Sequence, residues 1–245
     1  MKAKFILTAS LLVAPFLSKA QVIVNETFES YANTPAMQAN WGSTGAGQLV
    51  STNGNTGNSG YHPGGAVNTW IGSSFSLTPD ATMNIRLRAD IFDDGGGLDR
   101  NTIGLRNGAN PLFEMGHYNS FASHYTVRLL SLYGGTGAWT AFPTVTRQTN
   151  AWHRYEAFFT LTNVTLTLDL GADGSIDSTL EFVGAPSANP FVDLRFGGPS
   201  GVSSAGPIWV DNILLETVPV PEPSTVALGC IGGLSLLVMA WRRRR

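Results

Sequence analysis

The sequence predicts an all-β chain folded as a two-sheet sandwich, and three observations carry that prediction. The composition comes first: 28 glycines and only 13% charged residues suit turns and half-buried strands better than surface helices. Apolar and polar residues then alternate with period two in several separate stretches, the pattern of a strand with one face on a core. Finally, no ten-residue segment between Gln21 and Thr217 shows a helical period. With 245 residues, including 13 Phe, 6 Trp and 6 Tyr, the chain can bury one substantial core, so one main domain is expected.

In chain order, the first strand is read at Val22 to Phe28. Ile85, Leu87, Ala89 and Ile91 alternate with Asn84, Arg86, Arg88 and Asp90, giving a second with one buried face. Thr126 to Tyr133 is a third. His153, Tyr155, Ala157, Phe159 and Leu161 mark the apolar face of a fourth. Val164, Leu166, Leu168 and Leu170 then alternate with Thr165, Thr167 and Asp169. Asp173-Gly174 supplies a turn from there into Ser178 to Val183, which reads as a hairpin. Phe191 to Phe196 and Ile208 to Glu216 complete the set. Strands at this spacing imply a sandwich of jelly-roll type.

Both ends are of a different kind. Lys2 and Lys4, the apolar Phe5 to Leu17, and Ser18-Lys19-Ala20 read as a signal peptide over 1–20, cut by signal peptidase after Ala20. The sandwich then occupies 21–217, followed by a proline-rich linker at 218–225. Val226 to Trp241 is uncharged, and its 16 residues would reach about 24 Å as a helix, just short of a hydrocarbon core of about 30 Å. With flanking Ser224, Thr225 and a snorkelling Arg242, 226–241 is read as a single transmembrane helix. Arg242, Arg243, Arg244 and Arg245 form a cytoplasmic basic tail that stops transfer, which leaves the body on the far side of the membrane.

The ordered tail of Pro221-Glu222-Pro223, apolar helix and arginine cluster resembles the PEP-CTERM sorting signal of Gram-negative bacteria. The resemblance implies export across the inner membrane, a single-pass intermediate, and processing by exosortase near the motif. It also implies a final place at the cell surface or in an exopolysaccharide matrix. Physically, prolines on both sides of Glu222 disfavour helix and sheet pairing and hold the segment extended, as a peptide-processing groove requires. The competing reading is a permanent anchor on a proline-rich stalk.

All three lysines precede residue 20 and four arginines end the chain. Between Gln21 and Thr217, 8 arginines face 16 carboxylates, so the body carries about −8 and nucleic acid is excluded as a partner. Cys230, in the apolar tail, is the one cysteine, so no intrachain disulfide forms.

The opening "NETFESY" and closing "IWVDNILLE" are similar to those of concanavalin A-like and carbohydrate-binding-module jelly rolls. That resemblance implies that the first and last strands pair and bring Glu29 near Asp211, and it implies a structural Ca²⁺ on these two carboxylates. The alternative is a pair of solvated or hydrogen-bonded strand-end acids. It also makes polysaccharide a partner, with Trp41, Tyr61, Trp70, Tyr118 and Trp139 as ring faces able to stack on sugars unless they pack internally.

Other clusters read as structural. Asp93, Asp94 and Asp99 suggest a solvated turn, Asp169, Asp173 and Asp177 turn chemistry, and His153 a satisfied core residue. Glu156 and Arg154 share a face and suggest an ion pair. No paired carboxylates stand on one strand in a glycosidase arrangement, and no Gly-x-Ser-x-Gly occurs, so no catalytic residue is assigned. The expectation is a non-enzymatic matrix protein that contacts exopolysaccharide. A structural surface protein without a specific ligand and a glycan hydrolase or lyase are the alternatives.

Overall fold

Successive side chains of a strand point to opposite faces, so each alternating segment has one apolar set to bury. A computed structural model of the chain describes residues 20–43, 47–64, 67–96, 100–197 and 206–220. All of them lie in one compact unit, Ala20–Val220. The leader before residue 20, the Pro221-Glu222-Pro223 motif, the 226–241 span, Arg242 to Arg245 and Asp99 lie outside the described residues. Among the described residues, no helix is long and apolar enough to cross a membrane.

The strands are β1 (Gln21–Glu26), β2 (Trp41–Ser43), β3 (Gln48–Val50), β4 (Ser59–His62), β5 (Asn68–Trp70), β6 (Met83–Asp93), β7 (Asn101–Asn107), β8 (Asn110–His117), β9 (Tyr125–Leu130), β10 (Thr136–Ala141), β11 (Ala151–Phe159), β12 (Asn163–Leu170), β13 (Ser178–Val183), β14 (Asp193–Phe196) and β15 (Ile208–Pro219). One short helix, α1 (Thr34–Gln38), lies between β1 and β2; Asn33 caps it by accepting from the Ala36 amide, and Pro35 sits in its first turn.

The strands build two antiparallel sheets. The first has the order β13-β12-β11-β6-β15-β4-β3, with β1 also on β15; the second runs β10-β9-β8-β7-β14-β5-β2. The chain is therefore an all-β, two-sheet sandwich of jelly-roll type. First and last strands do pair, with Val24 opposite Leu215 and Glu26 opposite Ile213. β4 joins β15 further back, Ile208 facing His62. Against β6, Asp211 opposes Asp90 but Leu214 opposes Arg88, so β15 bulges at Asn212, whose φ of +48° an asparagine tolerates.

The core lies between the sheets. Phe159 of β11 meets Phe113 of β8 edge-on at 5.1 Å, and Tyr155 meets Tyr125 at 5.9 Å. At the other end Trp41, fully buried, packs on Phe28, Trp70 and Phe196. Each such ring contributes about 1.5–3 kcal/mol on leaving water.

The structure moves several boundaries. Leu161 does not extend the apolar face of β11; it is 47% exposed. The chain turns just before it, where Thr160 bonds through its amide and hydroxyl to the Asn163 carbonyl. β15 continues to Pro219, opposite Met83, two residues into the segment read as linker. β7 and β8 carried no alternation because nearly every one of their residues is buried on both faces. Their two-residue turn, Gly108-Ala109, follows Asn107, and Gly108 has a φ of +53°.

Candidate functional site

The site begins where β1 ends. Glu26, 4% exposed, accepts hydrogen bonds from the Phe28 amide (2.6 Å), the Tyr31 hydroxyl (2.5 Å) and Trp41 Nε1 (3.1 Å). Burial, then the Glu26 carboxylate, raises the Tyr31 pKa, so the phenol keeps its proton. These bonds hold a sharp turn through Phe28, whose φ is +60°. Glu29 emerges exposed from that turn and accepts from the Asn58 amide at 2.7 Å. Gly57 leaves room for this approach, since a Cβ there would stand 2.5 Å from Glu29 Oε1 and displace the carboxylate.

The loop that holds Glu29 also reaches the outward face of the first sheet. Asn55 Nδ2 donates to Asp90 Oδ2 at 2.8 Å. Asp90 stands opposite Asp211 on β15 and Arg154 on β11, so the three form one row across the sheet. Arg154 grips Asp90 with two bonds, at 2.7 and 2.8 Å, and Asn212 Nδ2 adds another at 2.9 Å. Asp90 is buried and saturated.

Asp211 is buried without a cation of its own. Its Oδ1 accepts from the Asn212 amide at 2.7 Å, while Oδ2 has no hydrogen-bond partner. Burial first, and then the charges of Asp90 and Glu29, raise its pKa from the ordinary 3.8 to about 7; the amides of Asn212 and Asn55 pull the other way. Glu29 is the weaker of the two negative charges that act on Asp211. A buried carboxylate oxygen without a donor, beside a second carboxylate, fits a hard cation. Among the described residues no group of three or more His, Cys, Asp or Glu forms a metal cluster. Backbone carbonyls or water would have to supply the other oxygens of a Ca²⁺ shell.

Two residues along the strands lies a row of a different character. Tyr61, Trp209, Phe92 and Trp152 come from β4, β15, β6 and β11, each directly opposite the next. Their ring centroids are 4.8, 5.9 and 5.5 Å apart in that order. All four rings are half-buried. They share the outward face with Asp90, Arg154 and Asp211, because positions two apart on a strand point the same way.

A family model for the PEP-CTERM protein-sorting motif matches residues 219–245. The chain ends in a PEP-CTERM sorting motif. Pro221, Glu222 and Pro223 lie inside that match. No curated protein matches this PEP-CTERM-bearing chain. Solved structures similar to it include the apo Crh5 transglycosylase (15% identity, TM-score 0.48, covering 84% of this chain and 86% of that one). Also similar are the carbohydrate-binding module CBM66 from Bacillus subtilis (13%, 0.43, 71% and 93%) and the lectin UEA-II complexed with galactose (8%, 0.48, 80% and 99%).

The aromatic residues expected on sugar-binding loops divide. Trp41 belongs to the core, its Nε1 spent on Glu26, and Trp70, half-buried, packs against it. Tyr118 and Trp139 stack on each other at 4.5 Å, with Arg100 and Arg128 over the indole. Tyr61 alone joins the outward row. Its partners Trp209, Phe92 and Trp152 were not singled out from sequence. The available signal was an aromatic on the polar parity of a strand, as Phe92 follows Arg86, Arg88 and Asp90.

Two charge assignments are corrected. Arg154 pairs with Asp90 across the strands and Glu156 with Arg86 at 3.4 Å, because cross-strand neighbours sit closer than residues two apart on one strand. Asp93 is no solvated turn residue: it is buried, clasped by Arg147 at 2.5 and 2.6 Å, and bonded by the Tyr125 hydroxyl. Asp169, Asp173 and Asp177 each accept backbone amides at the β12–β13 turn, as turn chemistry predicts. His153 is fully buried, and burial lowers its pKa. Its Nδ1 accepts from the Gly171 amide at 3.1 Å, so Nε2 carries the proton and donates to the Gln148 carbonyl at 2.7 Å.

Proposed function

We propose that this chain is an exported exosortase substrate whose β-sandwich contacts exopolysaccharide at the cell surface or in the extracellular matrix. The observation that carries this is the sorting motif at 219–245. In this reading the leader directs export, and the apolar 226–241 stretch with Arg242 to Arg245 holds the chain in the inner membrane. Exosortase then acts near Pro221-Glu222-Pro223. The outward aromatic row supports contact with saccharide, since ring faces pack on sugar C–H faces.

The sandwich acts by binding and not by catalysis. Asp90 and Asp211 are adjacent acids, one with a raised pKa, which a glycosidase would exploit. Asp90, however, already accepts from Arg154, Asn55 and Asn212, leaving it no capacity to attack a sugar or activate water. Glu29 and Asp211 instead suit a structural Ca²⁺ that would pin the Asn53–Asn58 loop to the sheet.

Intact-mass measurement of the extracellular protein tests the reading. A species beginning at Gln21 and ending between Pro221 and Thr225 is expected. A cytosolic product with both ends intact refutes it. Release of reducing ends from the producer's polysaccharide would reassign the body as a glycan-active enzyme.

A further inference from the structure

We infer that the Tyr61–Trp209–Phe92–Trp152 row is the surface that takes the polysaccharide, and that it takes an uncharged chain in preference to an anionic one. This rests on the exopolysaccharide reading above and names its site and polymer class.

The geometry is that of a strip. Four rings on four adjacent strands, at a strand spacing of about 4.8 Å, span roughly 14 Å. That is room for a run of sugar rings and not for a single one. Gln48, opposite Tyr61 on β3, is exposed and places an amide at the end of the row, able to donate to and accept from sugar hydroxyls. The rings are tilted against each other, by 34° between Tyr61 and Trp209 and 84° between Trp209 and Phe92. The strip is therefore ridged, which suits a single polymer chain better than a flat crystalline face.

The charge pattern decides the class. An anionic polymer needs cations beside its stacking rings, and the strip has none in its own row. In the next row Asp90, Asp211 and Asp169 stand with one arginine, Arg154, whose Nε and Nη2 are both bonded to Asp90. The body around them carries about −8. A Ca²⁺ on Glu29 and Asp211 would offset the local charge without making it positive. The arginine-covered Tyr118–Trp139 pair on the second sheet shows the contrast, since its indole lies under two guanidinium groups.

The test is depletion binding of the full-length chain in detergent to an insoluble neutral glucan and to an immobilised polyuronate, at low and moderate salt. Wild type is expected to bind the glucan with little salt dependence. Trp209→Ala and Trp152→Ala are each expected to weaken it about 3- to 10-fold while Trp139→Ala leaves it unchanged. Thermal melts confirm which variants stay folded, and Trp152→Ala, near the start of β11, is the safer of the two. Glucan binding that survives both substitutions overturns the site. Tighter, salt-sensitive binding to the polyuronate overturns the polymer class. In either case the exopolysaccharide reading stands; binding to neither polymer sinks both. A concentration-dependent dimer abolished by Trp209→Ala, without glucan binding, would reassign the strip to a second copy of the chain.

Discussion

Replacing Asp211 with asparagine is expected to stabilise the protein at neutral pH when calcium is withheld. The carboxyl is 0% exposed, one oxygen lacks a donor, and its pKa is raised to about 7 from 3.8. Such a gap corresponds to a proton affinity raised roughly a thousandfold, or about 4 kcal/mol at about 1.4 kcal/mol per tenfold. Water penetration and local relaxation reduce this to about 2 kcal/mol. The sign follows from linkage. Below pH 3.8 both folded and unfolded chains hold the proton, and the group contributes nothing. Between 3.8 and about 7 the unfolded chain ionises while the native one stays protonated, so native stability falls as pH rises. Above about 7 the full penalty applies. Urea unfolding in chelator at pH 4 and pH 8 should therefore show wild type and Asp211→Asn nearly equal in acid, with the variant ahead by about 2 kcal/mol at pH 8. Saturating Ca²⁺ should raise wild type and leave the variant unmoved. A variant equally destabilised at both pH values, or equally responsive to Ca²⁺, would refute the argument.

Three further outcomes are expected. Phe159→Ala, fully buried against Phe113 and Phe191, should cost about 3–5 kcal/mol in urea unfolding, and a loss under 1 kcal/mol would mean that the sheets do not pack there. Arg154→Met strips Asp90 of its cation; because the arginine side chain is 29% exposed, the loss should be about 2 kcal/mol, below the 3–5 of a fully buried pair. His153 is held neutral by burial, so acidification below its ordinary 6.5 protonates the unfolded chain first and lowers native stability. Its imidazole NMR resonances should titrate with a midpoint under 6.5, and a midpoint above that would contradict the burial.

The strands with one wet face were legible because period two survives in them: Ile85 to Ile91 against Arg86 to Asp90 names a strand and its buried side. β7 and β8 were not, because a strand buried on both faces has no alternation to show. The pairing of the first and last strands was legible from the likeness of the two end segments. The surroundings of Glu29 and Asp211 were not, because the turn at Phe28, the Asn212 bulge and the asparagine loop decide them. The sequence by itself settled two things about this protein: sheet content and the sorting tail are local patterns, each written in contiguous residues. Only the tertiary structure decided which side chains become a surface. Tyr61, Phe92, Trp152 and Trp209 are far apart in the chain, and strand register alone lines up their rings.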